Sequence, residues 1–157
     1  MNDVIVREAV IGDLLPIAHL WKELMEFHFA RDPYFEVKKD VESVFTEFVK
    51  GNILSERGVV FVAEIEGEVV GFCHGTVAHY PPVHLIAEYG MVYDVAVTER
   101  FRRRGIGALL FQSIKTWFQA KGLRRLELHV AVNNEVSMRF WAKMGLRSVL
   151  ETKYLDL

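Results

Sequence analysis

Apolar residues recur along this chain with two periods, and the switches between them mark its elements. Val4 to Arg7 is a short β-branched run and reads as a first strand. Asp13 can cap a helix running to about Phe29. Ile17, Leu20, Trp21, Leu24 and Met25 fall on one face of it, and Pro16 lies in the first turn, where its missing N–H is tolerated. After a loop with Asp32-Pro33, residues Val41, Val44, Phe45, Phe48 and Val49 repeat at offsets 0, 3, 4, 7 and 8, the spacing of a second helical face. Gly51 is placed to stop that helix. Val59 to Ile65 and Val69 to Ala78 then read as strands around a hairpin turn at Glu66-Gly67, and Pro81-Pro82 ends the second of them.

Gly90 precedes a fourth strand, Met91 to Val97. From about Gly105 to Lys121 the helical period returns, with Ile106, Leu109, Leu110, Ile114, Trp117 and Phe118 on the buried face and Gly122 as the stop. Leu126 to Val132 reads as a fifth strand. Asn133-Asn134 opens a fourth helix with Val136, Phe140 and Met144 stacked, ending at Gly145. Leu146 to Leu157 reads as one extended terminal strand. The order is strand, two helices, three strands, helix, strand, helix, strand. It predicts an α/β (α+β) protein with a mixed sheet and helices on both faces. No linker or repeat interrupts residues 1–157, which we take as a single domain.

Composition narrows the function. Of the 157 residues 51% are hydrophobic and 25% charged, the balance of a folded domain. The net charge of −2 argues against a general nucleic-acid binder, although three adjacent arginines could form a local phosphate patch. Cys73 is the only cysteine, which excludes an internal disulfide and a multi-cysteine metal site and suits a reducing compartment. No signal-like or membrane-length apolar run is present, so the expectation is a cytoplasmic protein with no membrane partner. The six histidines show no i, i+3 or i, i+4 pair, so no metal is expected.

The stretch with chemistry is Val95 to Leu110. An apolar strand runs into Arg102-Arg103-Arg104, and Gly105-Ile106-Gly107 opens a helix. Glycines let backbone approach a ligand, and the first amides of a helix have no internal partner and sit at its positive end. Arginines beside that end suit a polyphosphate, and the chemistry suggested is capture of a cofactor pyrophosphate.

Arg102 to Gly107 fits the form Gln/Arg-x-x-Gly-x-Gly/Ala. About thirty residues later Asn134, Ser137 and Gly145 fit Asn-x-x-Ala/Ser-x-x-x-Tyr-x-x-x-Gly, with Trp141 where Tyr is usual. On these two motifs and the element order, the chain resembles the GCN5-related N-acetyltransferase (GNAT) superfamily. The resemblance implies a mostly antiparallel central sheet with strands 4 and 5 splayed, and acetyl-CoA held in the split. By that likeness the backbone at Val95, Ala96 and Val97 pairs with the pantetheine arm, and an amide there polarises the thioester carbonyl. Arg102 opens the pyrophosphate motif, and Arg103, Arg104, Gly105, Ile106, Gly107 and Ala108 wrap the phosphates. Asn134 holds the pantetheine. Each of these has a plainer reading: Val95 and Val97 as core, the arginines as a solvated loop, Asn134 as a helix cap, Trp141 as an aromatic filling the core.

The implied activity is acetyl transfer from acetyl-CoA to a primary amine by direct attack in a ternary complex. Cys73 lies mid-strand, away from both motifs, so no thiol nucleophile is indicated. An ammonium has no lone pair, so a base is needed. The candidates are Asp94 and Glu88, with Tyr93 and His129 nearby. Asp94 could equally be a buried carboxylate that holds a loop or helix. Trp141 can donate a hydrogen bond but cannot act as an acid at neutral pH. The acceptor is expected between the first two helices and the loop from His79 to Gly90, where His28, Asp32, Tyr34, His79, Tyr80, His84, Glu88 and Tyr89 are available. The rival reading is a CoA-binding module of the same fold that has lost turnover. The terminal strand, left with an open edge, suggests a homodimer joined there.

Overall fold

The computed structural model describes residues 3–157. The elements are β1 (Ile5–Glu8), α1 (Leu14–Phe29), α2 (Glu42–Leu54), β2 (Gly58–Ile65), β3 (Glu68–His79), β4 (Glu88–Val97), α3 (Ile106–Ala120), β5 (Leu126–Leu128) and α4 (Glu135–Lys143). The strands form one sheet in the order β1-β2-β3-β4-β5. Its first three pairings are antiparallel, and β4 and β5 run parallel.

Side-chain alternation along the central strands divides the core into two layers. Val60, Val62, Phe72 and Ala96 face α1 and α2, where Ile17, Leu20, Phe45 and Val49 meet them. Val59, Ala63, Val70, Cys73 and Val92 face α3, where Ile106, Leu110, Ile114 and Phe118 meet them, with Trp141 and Met144 packed on this layer from the α4 end of the chain. The hairpin turn forms at Glu66-Gly67, both with positive φ, and Gly122 and Gly145 follow α3 and α4 in the left-handed conformation.

Five expectations are corrected. Gly51 does not end α2, which runs through it to Leu54 and so carries Asn52 into the interior. Asp13 does not cap α1: its carboxylate accepts the Val10 N–H at 2.8 Å and the Arg7 guanidinium at 2.8 and 3.0 Å, closing the short turn before the helix. The fifth strand pairs only over Leu126–Leu128. The terminal strand does not form: residues 146–157 carry no strand, and Val149, Leu150 and Leu155 are exposed. A three-residue β5 offers little edge to pair with, and the apolar residues of the tail do not alternate as a strand needs. The expected helical faces are also narrower than their periodicity: Val44 and Leu109 are exposed.

Candidate active site

β4 and β5 pair at Gly90 with Leu126, Met91 with Glu127 and Val92 with Leu128. Beyond Val92 the register with β5 ends while β4 runs on to Val97 against β3 alone. The Thr98 N–H donates to the Val70 carbonyl across to β3 at 2.9 Å. Antiparallel alternation then turns the N–H and C=O of Val95 and Val97 the other way, towards the split. Their side chains pack on the α3 layer, as the core reading expects, while their backbone polar groups stay turned towards the split. Ala96 is buried against α1 and α2.

The loop after β4 is braced before it reaches α3. Arg102 donates from Nε to the Val97 carbonyl at 2.9 Å and from its terminal nitrogen to Glu23 of α1 at 3.1 Å. Glu23 also accepts the Glu99 N–H at 2.9 Å. Arg102 is therefore engaged in the protein and Arg100 pairs with Glu68, whereas Arg103 and Arg104 are exposed and, among the described residues, form no salt bridge, Arg104 lying over the Phe101 ring at 5.0 Å. Arg103 and Gly105 have φ of 63° and 81°, a turn that brings the chain round into the helix. The first helical bond runs from the Leu109 N–H to the Gly105 carbonyl at 3.1 Å. Among the described residues, no amide from Arg103 to Ala108 donates to a backbone carbonyl. A Cβ built on Gly105 meets nothing within 4 Å, and one on Gly107 meets only the Phe140 ring at 3.5 Å. This is an open cradle of unpaired amides at a helix N-terminus, with two arginines beside it, and it fits an anion.

The split itself is lined by Leu24, His28, Asp94, Val95, Asn134 and Trp141. Asn134 accepts the Ser137 N–H on Oδ1 at 3.1 Å, so it does cap α4. Trp141 packs edge-on against Phe111 and Phe140 at 5.2 and 4.7 Å and also reaches the split.

A bulge in β4 decides where its polar residues point. His74 pairs with Asp94 but Gly75 pairs with Val92, so Tyr93 is an extra residue. Tyr93 and Asp94 consequently both lie on the α1/α2 side, Tyr93 against Phe48 at 5.0 Å and Asp94 against His74. His74 Nε2 lies 2.6 Å from Asp94 Oδ2, and Asn52 Nδ2 lies 3.2 Å from His74 Nδ1. His74 is fully buried, while the Asp94 side chain keeps 18% of its surface exposed.

Burial lowers the pKa of His28, the charge of Asp94 opposing and that of Arg31 adding to the effect, which keeps its imidazole neutral near pH 7. Burial, with Tyr89 adding, raises the pKa of Tyr93, so it is a neutral phenol and a donor rather than a base. Glu88 stands at the start of β4, bonded to Arg57 at 2.8 Å, which holds its carboxyl below the usual range. Six residues of extended strand, roughly 20 Å, separate it from Asp94, and the structure does not bring it to the split. His129 lines the split but is exposed. His79, Tyr80, His84 and Tyr89 gather at the Glu88 end of the sheet, where Tyr80 stacks between His84 and Tyr89 and bonds Glu127. His28 is thus the acceptor-side candidate that reaches Asp94's cleft. Cys73 is buried, its thiol pushed well above the usual range by desolvation, with Sγ 3.4 Å from the Leu110 carbonyl. Among the described residues no cluster of three His, Cys, Asp or Glu could hold a metal ion, and no helix is long and apolar enough to cross a membrane.

Sequence reasoning missed His74 and Asn52. His74 interrupts an otherwise apolar strand, and that was the available signal; Asn52 lay beyond the expected end of α2.

The profile of the acetyltransferase (GNAT) family matches residues 17–146. The chain belongs to that family. An N-alpha-acetyltransferase of Sulfurisphaera tokodaii is 32% identical over 94 residues, covering 57% of this chain and 56% of the relative. The chain thus spans little more than half the length of that relative. An uncharacterized N-acetyltransferase of Archaeoglobus fulgidus is 28% identical over 142 residues, covering 90% and 92%. Among solved structures, a variant of the BH1408 protein of Bacillus halodurans superposes with a TM-score of 0.85 at 25% identity, covering 98% of this chain and 99% of that one. The aminoglycoside N-acetyltransferase AAC(6')-Iy in complex with CoA has the same fold, with a TM-score of 0.80 at 18% identity, covering 100% and 96%.

Proposed function

We propose that this protein transfers the acetyl group of acetyl-CoA to a primary amine by direct attack, with the split between β4 and β5 as the site. The observation that carries this reading is the joining of two unpaired backbone surfaces. One is the edge of β4 that β5 leaves open at Val95 and at the Val97 N–H, the Val97 carbonyl being held by Arg102; the other is the amides from Arg103 to Ala108. The first suits an extended amide-bearing arm and the second a pyrophosphate. Acetyl-CoA has both in sequence, and when bound it supplies the thioester whose acetyl group moves. Arg103 and Arg104 offer charge to its phosphates, and Arg102 holds the loop in register with β4. Asn134 caps α4 through Oδ1, which leaves its amide nitrogen for the arm.

The Val95 N–H faces the split and can stabilise charge developing on a carbonyl oxygen there. Asp94 takes the proton from the attacking amine; its position on the α1/α2 side of the same cleft, with the neutral His28 also lining it, supports this role. Trp141 contributes packing, and the thiolate leaves without a tyrosine acid. The buried, protonated Cys73 carries no covalent step.

The test is a screen of amines with acetyl-CoA, read by release of CoA thiol. It includes peptides with free α-amines, lysine side chains, polyamines and aminoglycosides. Similarity to proteins named N-alpha-acetyltransferase puts the peptides first. Transfer to at least one acceptor, lowered 100-fold or more in Asp94→Asn with acetyl-CoA affinity kept, is the expected result. Binding without any transfer would favour the rival module that only holds CoA. The proposal extends to a cytoplasmic homodimer. The tail leaves Val149, Leu150 and Leu155 exposed, and a second copy can cover them. Light scattering at micromolar concentration that gives the monomer mass refutes that part.

A further inference from the structure

We propose that His74 is a positioning residue, locked by Asn52 as the Nε2–H tautomer so that its N–H fixes the Asp94 carboxylate in the acceptor side of the split. The inference rests on the reading of Asp94 as the base.

Three observations carry it. The first is direction. The Asn52 side-chain nitrogen can only donate, so the His74 Nδ1 it faces at 3.2 Å must be the acceptor. The one remaining imidazole proton is then on Nε2, which lies 2.6 Å from Asp94 Oδ2, a short charge-assisted bond. The second is enclosure. His74 is 0% exposed and surrounded by the rings of Tyr93, Phe48, Phe45 and Phe72, with centroids 5.3 to 5.9 Å away. Water cannot reach the imidazole to replace either partner, and in such surroundings a hydrogen bond is held tightly. The third is placement. The bulge at Tyr93 turns Asp94 to the same face as His74, and without it strand alternation would separate them. One carboxylate oxygen is thereby occupied from within the protein, which leaves the other to face the split.

The roles divide as follows. Asp94 would touch the acceptor amine, His74 acts on it only through Asp94, and Asn52 only through His74. A second proton on His74 would have to sit on Nδ1, where the Asn52 amide already presents its own hydrogens. The relay therefore disfavours passing the proton inward and leaves it on Asp94, from which solvent can remove it. Among groups that face this set, His28 comes from α1, Tyr93 from β4 and His129 from the segment just after β5.

The direct test is a ¹⁵N–¹H multiple-bond correlation spectrum of the whole protein at neutral pH, with His74 assigned by comparison with His74→Gln. The expected pattern is one unprotonated Nδ1 and one protonated Nε2, with an Nε2 proton that exchanges slowly. A proton on Nδ1, or on both nitrogens, overturns the proposal. In Asn52→Asp, a carboxylate facing Nδ1 should add the second proton and change the pattern; an unchanged pattern also overturns it.

The functional arm uses single-turnover transfer to the acceptor found in the screen. His74→Phe should lower the rate roughly 10- to 100-fold, the scale for a misplaced reacting group, with acetyl-CoA affinity unchanged. His74→Gln, whose amide can donate to Asp94 from nearly the same place, should recover most of the rate. Equal rates in folded His74→Phe and wild type overturn the positioning role. If His74→Phe does not fold, the Asn52→Asp spectrum and the Gln variant decide. An unchanged rate in Asp94→Asn would instead defeat the base reading, while leaving the tautomer result to stand or fall by itself.

Discussion

Gly107→Glu separates folding from cofactor binding more cleanly than any other change at this site. Gly107 is the second residue of α3, its φ is ordinary, and a Cβ there meets only the Phe140 ring at 3.5 Å, an ordinary contact. Glu is a better helix former than Gly by several tenths of a kcal/mol, and a carboxylate in the first turn gains about 0.3–1 kcal/mol from the helix dipole. The variant should therefore melt at the wild-type temperature or slightly above it. Binding should move the other way. Two unit charges about 6 Å apart repel by ~2.8 kcal/mol at an effective dielectric of about 20, close to 100-fold in Kd, and that is the scale on which a carboxylate beside one phosphate would weaken binding. The second phosphate and the volume of the side chain add to that. Gly105→Glu is a poorer probe, because φ of 81° there strains any side chain whatever the ligand does. Calorimetric titration with acetyl-CoA on protein of verified fold reads the difference, with Gly107→Ala as the neutral control. Affinity within threefold of wild type in the Glu variant refutes the placement of the pyrophosphate on these amides.

Replacing Trp141 with Phe should keep both limbs of the pH–rate profile, any loss coming from its contacts with Phe111 and Phe140; disappearance of the alkaline limb alone would make it a proton donor after all. Asp13→Ala should cost about 2–3 kcal/mol in urea unfolding, since it removes the paired bonds to Arg7 and the Val10 cap. The Arg7 hydrogen bonds hold the Asp13 pKa below its unfolded value, so this stability is complete above about pH 4 and is lost as the pH falls through the folded pKa. The Asp13→Asn variant should lose less than wild type over that acidic window, and equal losses would contradict the assignment. Cys73 should resist a thiol reagent in the native state and react fully in denaturant; rapid native labelling would contradict its burial.

What was legible in the sequence was whatever depends on local spacing. The hairpin at Glu66-Gly67, the faces of α1 and α3, and the turn from β4 through Gly105 into α3 all follow from periodicity and turn chemistry. The two motifs fall on either side of the split for the same reason. What was hidden depends on register between distant segments. Whether Asp94 faces the acceptor or the opposite layer hangs on one extra residue, Tyr93, and a bulge has no period to read. The partnership of Asn52 with His74 requires α2 to continue through Gly51, and packing against β2 overrides the weak helix propensity of that glycine. Arg102 looked like the first of three phosphate ligands, but the Val97 carbonyl and Glu23, remote in sequence, claim its guanidinium. The terminal strand failed because β5 stops pairing after Leu128, so no long edge was there to receive it.

The measurement that bears most directly on the central claim is an amide ¹H–¹⁵N titration of the intact chain with acetyl-CoA. If the free edge of β4 and the cradle before α3 form one cofactor site, the amides of Val95, Val97, Gly105, Ile106, Gly107 and Ala108 shift together and saturate at one concentration. Those of Glu88 and of the Tyr80 cluster at the far end of the sheet stay in place. Shifts confined to the arginine loop, with Val95 and Val97 unmoved, would reduce the site to a phosphate patch and contradict the account.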